Sequence, residues 1–371
     1  MKINPSYIWR FSMKQAVTTK NPSSFDIVEF DERKPQSNEV LIKIKASGIC
    51  GSDLHAYREP EKWTAGRILG HEIAGEVESI GDKVTRVKIG QRVAFQPRLF
   101  CGICSSCQGG RTELCQNAGG LHGATFFTNG TQLPGGFRET LVVPEVNLFP
   151  VDDDLDFAIA ALAEPLSVAV HGHRVATQLD PTTATNGERV VILGAGPIGL
   201  MSVFYARQAG AGDIAVTARY PQQIEAAKML GATHVFPSDE DGPEQLEHWS
   251  KQNPVDLVME TVGGTAQTPT LASRISRIGG KILLLGVFSG DNPLPARSIV
   301  SKQLRIAGTI FYGYIGFHHD YEIATQLLSS HREKMAKLIT HRVSLENVAK
   351  GIELAGNKKS GSIKVTVEPN F

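Results

Sequence analysis

Up to about residue 150 the chain runs in short β-branched stretches, Glu39 to Lys45 and Gly75 to Ile80 among them, punctuated by Gly, Pro and Asp. Such stretches predict half-buried strands, and this half reads as a β-rich barrel or sandwich. From Asp156 the spacing of apolar positions turns helical. Arg189 to Leu193 then forms a buried strand that runs directly into GAGPIG and an apolar helix reaching about Gln208. The rhythm repeats with a strand at Asp213 to Thr217, a helix at about Pro221 to Leu230, and strands at Val255 to Met259 and Lys281 to Leu285. Alternating strand and helix predicts a parallel, doubly wound sheet. After Phe311 the rhythm stops: a helix near Asp320 to Ser329, a strand at Ile339 to Val343, a short helix over Leu345 to Ala355 and a terminal strand at Ser362 to Val367 are expected to rejoin the first half. The first dozen residues read as a loosely attached arm.

The expected fold class is therefore α/β, with a β-rich catalytic domain at 1–166 and 311–371 and a dinucleotide-binding domain at 167–310. A chain of 371 residues suits two domains, by the prior of roughly one per 150 residues. Lys plus Arg and Asp plus Glu balance at 38 each, so no basic footprint points to nucleic acid or an anionic membrane. No apolar stretch reaches the ~18 residues of a spanning helix.

The five cysteines sort themselves by spacing. Cys101, Cys104, Cys107 and Cys115 crowd one lobe, about 98–118, and read as a closed four-thiolate zinc site. Two-residue gaps rarely let cysteine Cβ atoms meet in a disulfide. The start, MKINPSYIWRFS, has no apolar signal core, so a reducing, cytoplasmic setting is expected. Arg111 and Glu113 within the lobe read as solvated charges. Cys50 stands apart in GICGSDLH, with the pair His71 and Glu72 further on, suggesting a second metal site open for chemistry.

Gly194, Gly196 and Gly199, with Pro197 and Ile198 between them, follow a strand and open a helix. That is the setting in which GxGxxG binds a dinucleotide, its pyrophosphate on the helix N-terminus. The next strand ends in Ala218, Arg219 and Tyr220, without the carboxylate that would hold the ribose hydroxyls of NAD. Arg219 supplies a guanidinium for a 2′-phosphate and Ala218 leaves it room, so NADP(H) is preferred over NAD(H).

Together these residues resemble the zinc-dependent alcohol dehydrogenases of the medium-chain dehydrogenase/reductase superfamily, from about Met13 onward. The landmarks are GICGSDLH at 48–55, GHEIAGEV at 70–77, the four-cysteine lobe, AEPLSVAVHG at 163–172 and GAGPIG. The resemblance implies a GroES-like catalytic domain interrupted by a Rossmann domain, and two zinc ions per subunit. It aligns Cys50 and His71 with catalytic zinc ligands and places Glu164 third, as in the polyol and threonine dehydrogenase branch. Glu72 either ligates directly or stands behind the site. Ser52 and His55 fall at the positions of a proton relay, Asp53 at that of a residue orienting a ligand. Thr261, Val262, Gly286, Val287 and Phe311 align with contacts to the nicotinamide half. The lobe zinc does no chemistry in this family.

The implied reaction is hydride transfer between NADP(H) and a secondary alcohol or ketone, polyol-, cyclitol- or aminoalcohol-like. Phe311 stands before Tyr312 where polyol dehydrogenases commonly carry an arginine, which removes a donor for polar substrates. Trp63, Phe126 and Phe127 are expected to narrow the pocket. A homodimer or homotetramer is implied by the resemblance alone. The alternatives are an NAD-dependent polyol or threonine-type dehydrogenase, a reductase of activated double bonds, and a zinc-module binding or redox-sensing protein, the last disfavoured by neutral charge.

Overall fold

The computed structural model describes residues 8–58, 63–121, 132–179, 187–290, 292–316 and 318–369. Phe126 and Phe127 lie outside them. The chain divides into two compact units, Met1–Glu164 with Tyr321–Phe371, and Pro165–Asp320.

In the first unit, β1 (Ile8–Thr18) and β2 (Phe25–Arg33) pair antiparallel. The next two strands, β3 (Glu39–Gly48) and β4 (Glu72–Ile80), lie at the centre of a larger sheet. Alternate β3 side chains Val40, Ile42 and Ile44 are fully buried and pack with Ile73, Val77, Phe95 and Leu141. Each such burial stabilises the fold by about 1.5–3 kcal/mol. The two halves of β3 have different neighbours on the side away from β4. Its first half pairs with Thr140–Pro144, while Ser47 and Gly48 at its end pair with Val367 and Thr366 of the terminal strand Lys364–Glu368. Helix α1 (Gly51–Arg58) follows at once, so Cys50 sits at the exit of a rigid central strand.

The second unit is a six-stranded parallel sheet in the order His234–Pro237, Asp213–Ala218, Arg189–Leu193, Val255–Glu260, Ser276–Leu284, Arg305–Gly308. The sequence pattern foretells the four inner strands, whose apolar runs are buried on both faces. It misses the two edges, each of four largely half-exposed residues without alternation. The strand order reverses beside Arg189–Leu193, the topological switch point at which doubly wound sheets bind ligands.

The two units divide after Asp320, where one buried carboxylate fastens the preceding segment. Asp320 is fully buried; its Oδ2 lies 2.6 Å from His171 Nδ1 and accepts from the Gly313 amide at 2.9 Å. Its other oxygen pairs with Arg174, which also donates to the Ile315 carbonyl. His171 and Arg174 belong to the helix Ala163–Gln178, so the segment stays fastened to that helix. Asp320→Ala leaves a buried cation and imidazole without their acceptor, and chemical denaturation is expected to show a loss of about 3 kcal/mol.

Candidate functional site

Cys50 and His71 are brought together by the antiparallel pairing of β3 and β4, which places Gly48 opposite Glu72. A fully buried Asp53 on α1 fixes both ends of this arrangement. Its Oδ2 accepts from the Cys50 amide at 2.9 Å and its Oδ1 from the Gly70 amide at 3.3 Å. Burial raises the Asp53 pKa, opposed by His71 and the two amides.

His71 is 4% exposed, and its Nδ1 is buried with no hydrogen-bond partner. Burial opposes the imidazolium, but the charge and hydrogen bond of Cys50, with Asp53 and Glu164, raise its pKa to about 10. Buried His71 thus feels a thiol and two carboxylates, which favour positive charge there. That donor set and that field suit a borderline-soft divalent ion such as Zn²⁺. Glu164, 8% exposed, lies in the first turn of its helix. Glu72 is placed differently: both its oxygens lie 2.6 Å from Lys364 Nζ. The Ser52 hydroxyl is buried without a partner, and His55 is exposed on the same helix. Trp63, half-buried, packs edge-on against Phe25 and Tyr57 and donates its indole N–H to the Thr19 carbonyl.

The lobe brings its four Sγ atoms within 4.8 Å of one another, all free thiols. Cys101 and Cys115 Sγ are 3.6 Å apart, far beyond the ~2.05 Å of a disulfide. With Zn–S near 2.3 Å, the edge of a ZnS₄ tetrahedron is about 3.8 Å. Amides of Ile103 and Cys104 lower the Cys101 pKa to about 6, and amides of Cys107 and Gln116 lower that of Cys104. The Cys101 and Cys104 thiolates are therefore stabilised by backbone amides, whereas burial and the Cys104 hydrogen bond push the Cys107 thiol up to about 12. Glu113 corrects the expectation of two solvated charges. Its side chain is 3% exposed and pairs with Arg111, because the short helical turn Thr112–Leu114 folds it inward.

In the second unit the three glycines of GAGPIG do different work. Gly194 turns at φ +101°, and a Cβ on Gly199 would stand 2.0 Å from the Gly194 carbonyl oxygen, so helix and strand touch there. A Cβ on Gly196 would meet nothing within 4 Å. The helix Pro197–Gln208 starts from that open position without a side-chain cap, leaving its first amides for an anion, as a pyrophosphate requires. Val262 and Val287, 50% and 46% exposed, present apolar surface at the carboxyl ends of neighbouring strands. Thr261 bonds the Leu193 carbonyl at 2.8 Å, while Gly286 and Phe311 follow the next two strands. Ala218 is buried, Arg219 is exposed and lies over the Tyr220 ring, and both Ala218 and Arg219 line a cleft of about 640 Å³.

Three residues escaped the sequence reading. Lys364 reads as an ordinary polar position of a strand, Tyr321 as a helix residue and Glu260 as a strand end. Yet Tyr321, 1% exposed, donates to the Phe95 carbonyl at 2.9 Å and feels the charges of Glu164 and Glu72. Glu260 accepts from the amides of Val262 and Gly263 and the Thr268 hydroxyl, shaping the loop that faces the glycine turn. The available signal for Glu260 is a carboxylate directly after three buried apolar positions, Leu257, Val258 and Met259.

A dinucleotide turn on a doubly wound sheet, with a thiol, imidazole and carboxylate pocket and a four-thiol lobe, defines a zinc-binding, nicotinamide-dependent dehydrogenase. Residues 36–153 match the alcohol dehydrogenase GroES-like domain and residues 197–330 the zinc-binding dehydrogenase domain. The sorbitol dehydrogenase of Bacillus subtilis (strain 168) is 35% identical over 345 residues, 90% of this chain and 91% of that protein. An L-threonine 3-dehydrogenase of Alteromonas mediterranea is 32% identical over 357 residues, 95% and 98% of the two chains. A solved zinc-binding protein from Sinorhizobium meliloti 1021, bound to NADP, superposes with a TM-score of 0.81 at 28% identity, covering 97% of this chain and 100% of its own. The chain belongs to the zinc-dependent alcohol dehydrogenase family, in its polyol and threonine dehydrogenase branch. Among the described residues no helix is long and apolar enough to cross a membrane.

Cys104→Ser is expected to lower the zinc content by one ion per chain and to lower the melting temperature, while the ion at Cys50 is retained. Elemental analysis after dialysis, paired with thermal melting, reads both effects.

Proposed function

We propose that the chain oxidises a secondary alcohol, or reduces the matching ketone, with NADP(H) as the hydride carrier. The observation that carries this reading is the buried imidazole of His71, whose Nδ1 has no hydrogen-bond partner and which feels the charges of Cys50 and Glu164. These three residues would hold the ion, with Glu72 behind them. Zinc in that place supplies a Lewis acid for the substrate oxygen. The nicotinamide supplies or accepts the hydride.

The chain's own groups do the remainder. Asp53 ties the Cys50 and Gly70 amides together and so fixes the spacing of two ligands. The unpartnered Ser52 hydroxyl would accept the alcohol's proton while releasing its own, and the relay would run through the cofactor ribose to His55, exposed on the same helix, and so to solvent. Gly194, Gly196 and Gly199 seat the pyrophosphate. Thr261, Val262, Gly286, Val287 and Phe311 border the nicotinamide half. Five free thiols suit a reducing compartment, and we place the protein in the cytoplasm as a homodimer or homotetramer.

NADP preference rests on the end of the second strand. Ala218 offers no carboxylate to ribose hydroxyls, and Arg219 borders a cleft that Lys228 also lines. A guanidinium on a 2′-phosphate contributes roughly 1.5–3 kcal/mol. Arg219→Ala should therefore lower kcat/KM for NADPH by about 10- to 100-fold and leave that for NADH unchanged. Equal or better efficiency of the parent enzyme with NADH would refute the preference.

The substrate reading is a secondary alcohol, cyclic or partly hydroxylated, because Phe311 takes the place of a polar donor. Secondary alcohols, polyols and aminoalcohols assayed with NADP at alkaline pH rank the classes directly. For the relay, His55→Ala is expected to lower kcat by about 10²-fold and to shift the pH profile. An unchanged rate and profile removes His55 from the scheme.

A further inference from the structure

We propose that Lys364 is a positioning residue of the metal centre: it clamps the Glu72 carboxylate in a slot left by Gly48 and thereby keeps that carboxylate from ligating the ion. The inference rests on the reading of Cys50, His71 and Glu164 as the ligand set.

Lys364 and Glu72 are 2% and 1% exposed, a lysine and a glutamate wholly inside the protein. The ammonium has three protons and three acceptors. Both Glu72 oxygens lie 2.6 Å away and the Ile49 carbonyl 3.2 Å. Its donor capacity is thus used up on Glu72 and on the backbone next to Cys50.

The route of this pair is set by strand register. Thr366 on the terminal strand, Gly48 on β3 and Glu72 on β4 lie in one row across three neighbouring strands. Lys364 precedes Thr366 by two positions, so it emerges on the same face and reaches Glu72 across β3. Any side chain at position 48 would block the way. A Cβ built on Gly48 would stand 2.0 Å from Glu72 Oε2 and 3.1 Å from Glu72 Cβ. Ammonium and missing side chain are separate observations, and both define the same resting place for one carboxylate.

That resting place matters because Glu72 adjoins His71 in sequence. A buried carboxylate without a cation partner costs several kcal/mol, so Glu72 released from Lys364 would be driven toward an ion held by the neighbouring His71. Occupied by Glu72, the site would hold four protein ligands and become a closed, structural type of zinc centre. With Glu72 clamped, the fourth position stays open for substrate.

The test follows the zinc ion that Cys50→Ser removes, using its rate of release to a chelator and the visible spectrum of the cobalt-substituted protein. In Lys364→Met, Glu72 is freed to join the ion. Release should slow by about tenfold and the cobalt spectrum should change as a further oxygen ligand enters. In the double variant Lys364→Met with Glu72→Gln, no carboxylate remains to join, and rate and spectrum should return to those of the parent. Should Lys364→Met fail to fold, Gly48→Ala evicts Glu72 with the lysine in place and should give the same slow release. Release at or above the parental rate with an unchanged spectrum, in whichever of these variants folds, overturns the clamp. If instead Cys50→Ser removes no zinc, the ligand reading itself fails, which is a separate outcome.

Discussion

Negative charge buried without enough positive charge to match it is the constraint around which this protein is organised. Cys50, Asp53, Glu72 and Glu164 gather near His71, and Lys364 is the ammonium set among them. Burial opposes the charged form of Lys364, yet Glu72, Cys50 and Glu164 overcome it. Isolated ions in a dry interior are costly, so such a cluster is stabilised by protonation or by a cation partner, and burial does raise the Asp53 pKa. A divalent ion would relieve the remainder.

The scaffold makes the cluster possible by placing it on rigid backbone. Cys50 leaves a strand whose alternate side chains form the core, and Asp53 uses both oxygens to hold the backbone on either side. The cofactor unit follows the same logic with the opposite sign. There a helix begins uncapped beside Gly196, and Glu260 ties the facing loop by two backbone amides. One unit stores unbalanced acid and the other unclaimed amide donors, which suits a metal cation and a phosphate anion respectively.

Much of this was legible in the residues because the informative features are local. Four cysteines in one lobe, three glycines after an apolar strand, and the segments around Cys50 and His71 each carry their chemistry in spacing. What stayed hidden depends on distant pairing. Lys364 meets Ile49 across 315 positions, and nothing in its own neighbourhood separates it from a solvated lysine. Glu113 looked exposed because its burial comes from a short turn within the lobe. The fastening of the segment before 320 depends on Asp320 finding His171 and Arg174, 149 and 146 positions away. The edge strands carried no alternation to read.

The last strand has a consequence for how the protein is made. Synthesis at about 5–20 residues per second separates Ile49 from Lys364 by roughly 15–60 s. During that interval Asp53, Glu72 and Glu164 exist without that ammonium, and the inserted unit, with its own core, is completed only at Asp320, shortly before Lys364. The carboxylates around Cys50 therefore stay without Lys364 until the strand Lys364–Glu368 pairs beside β3.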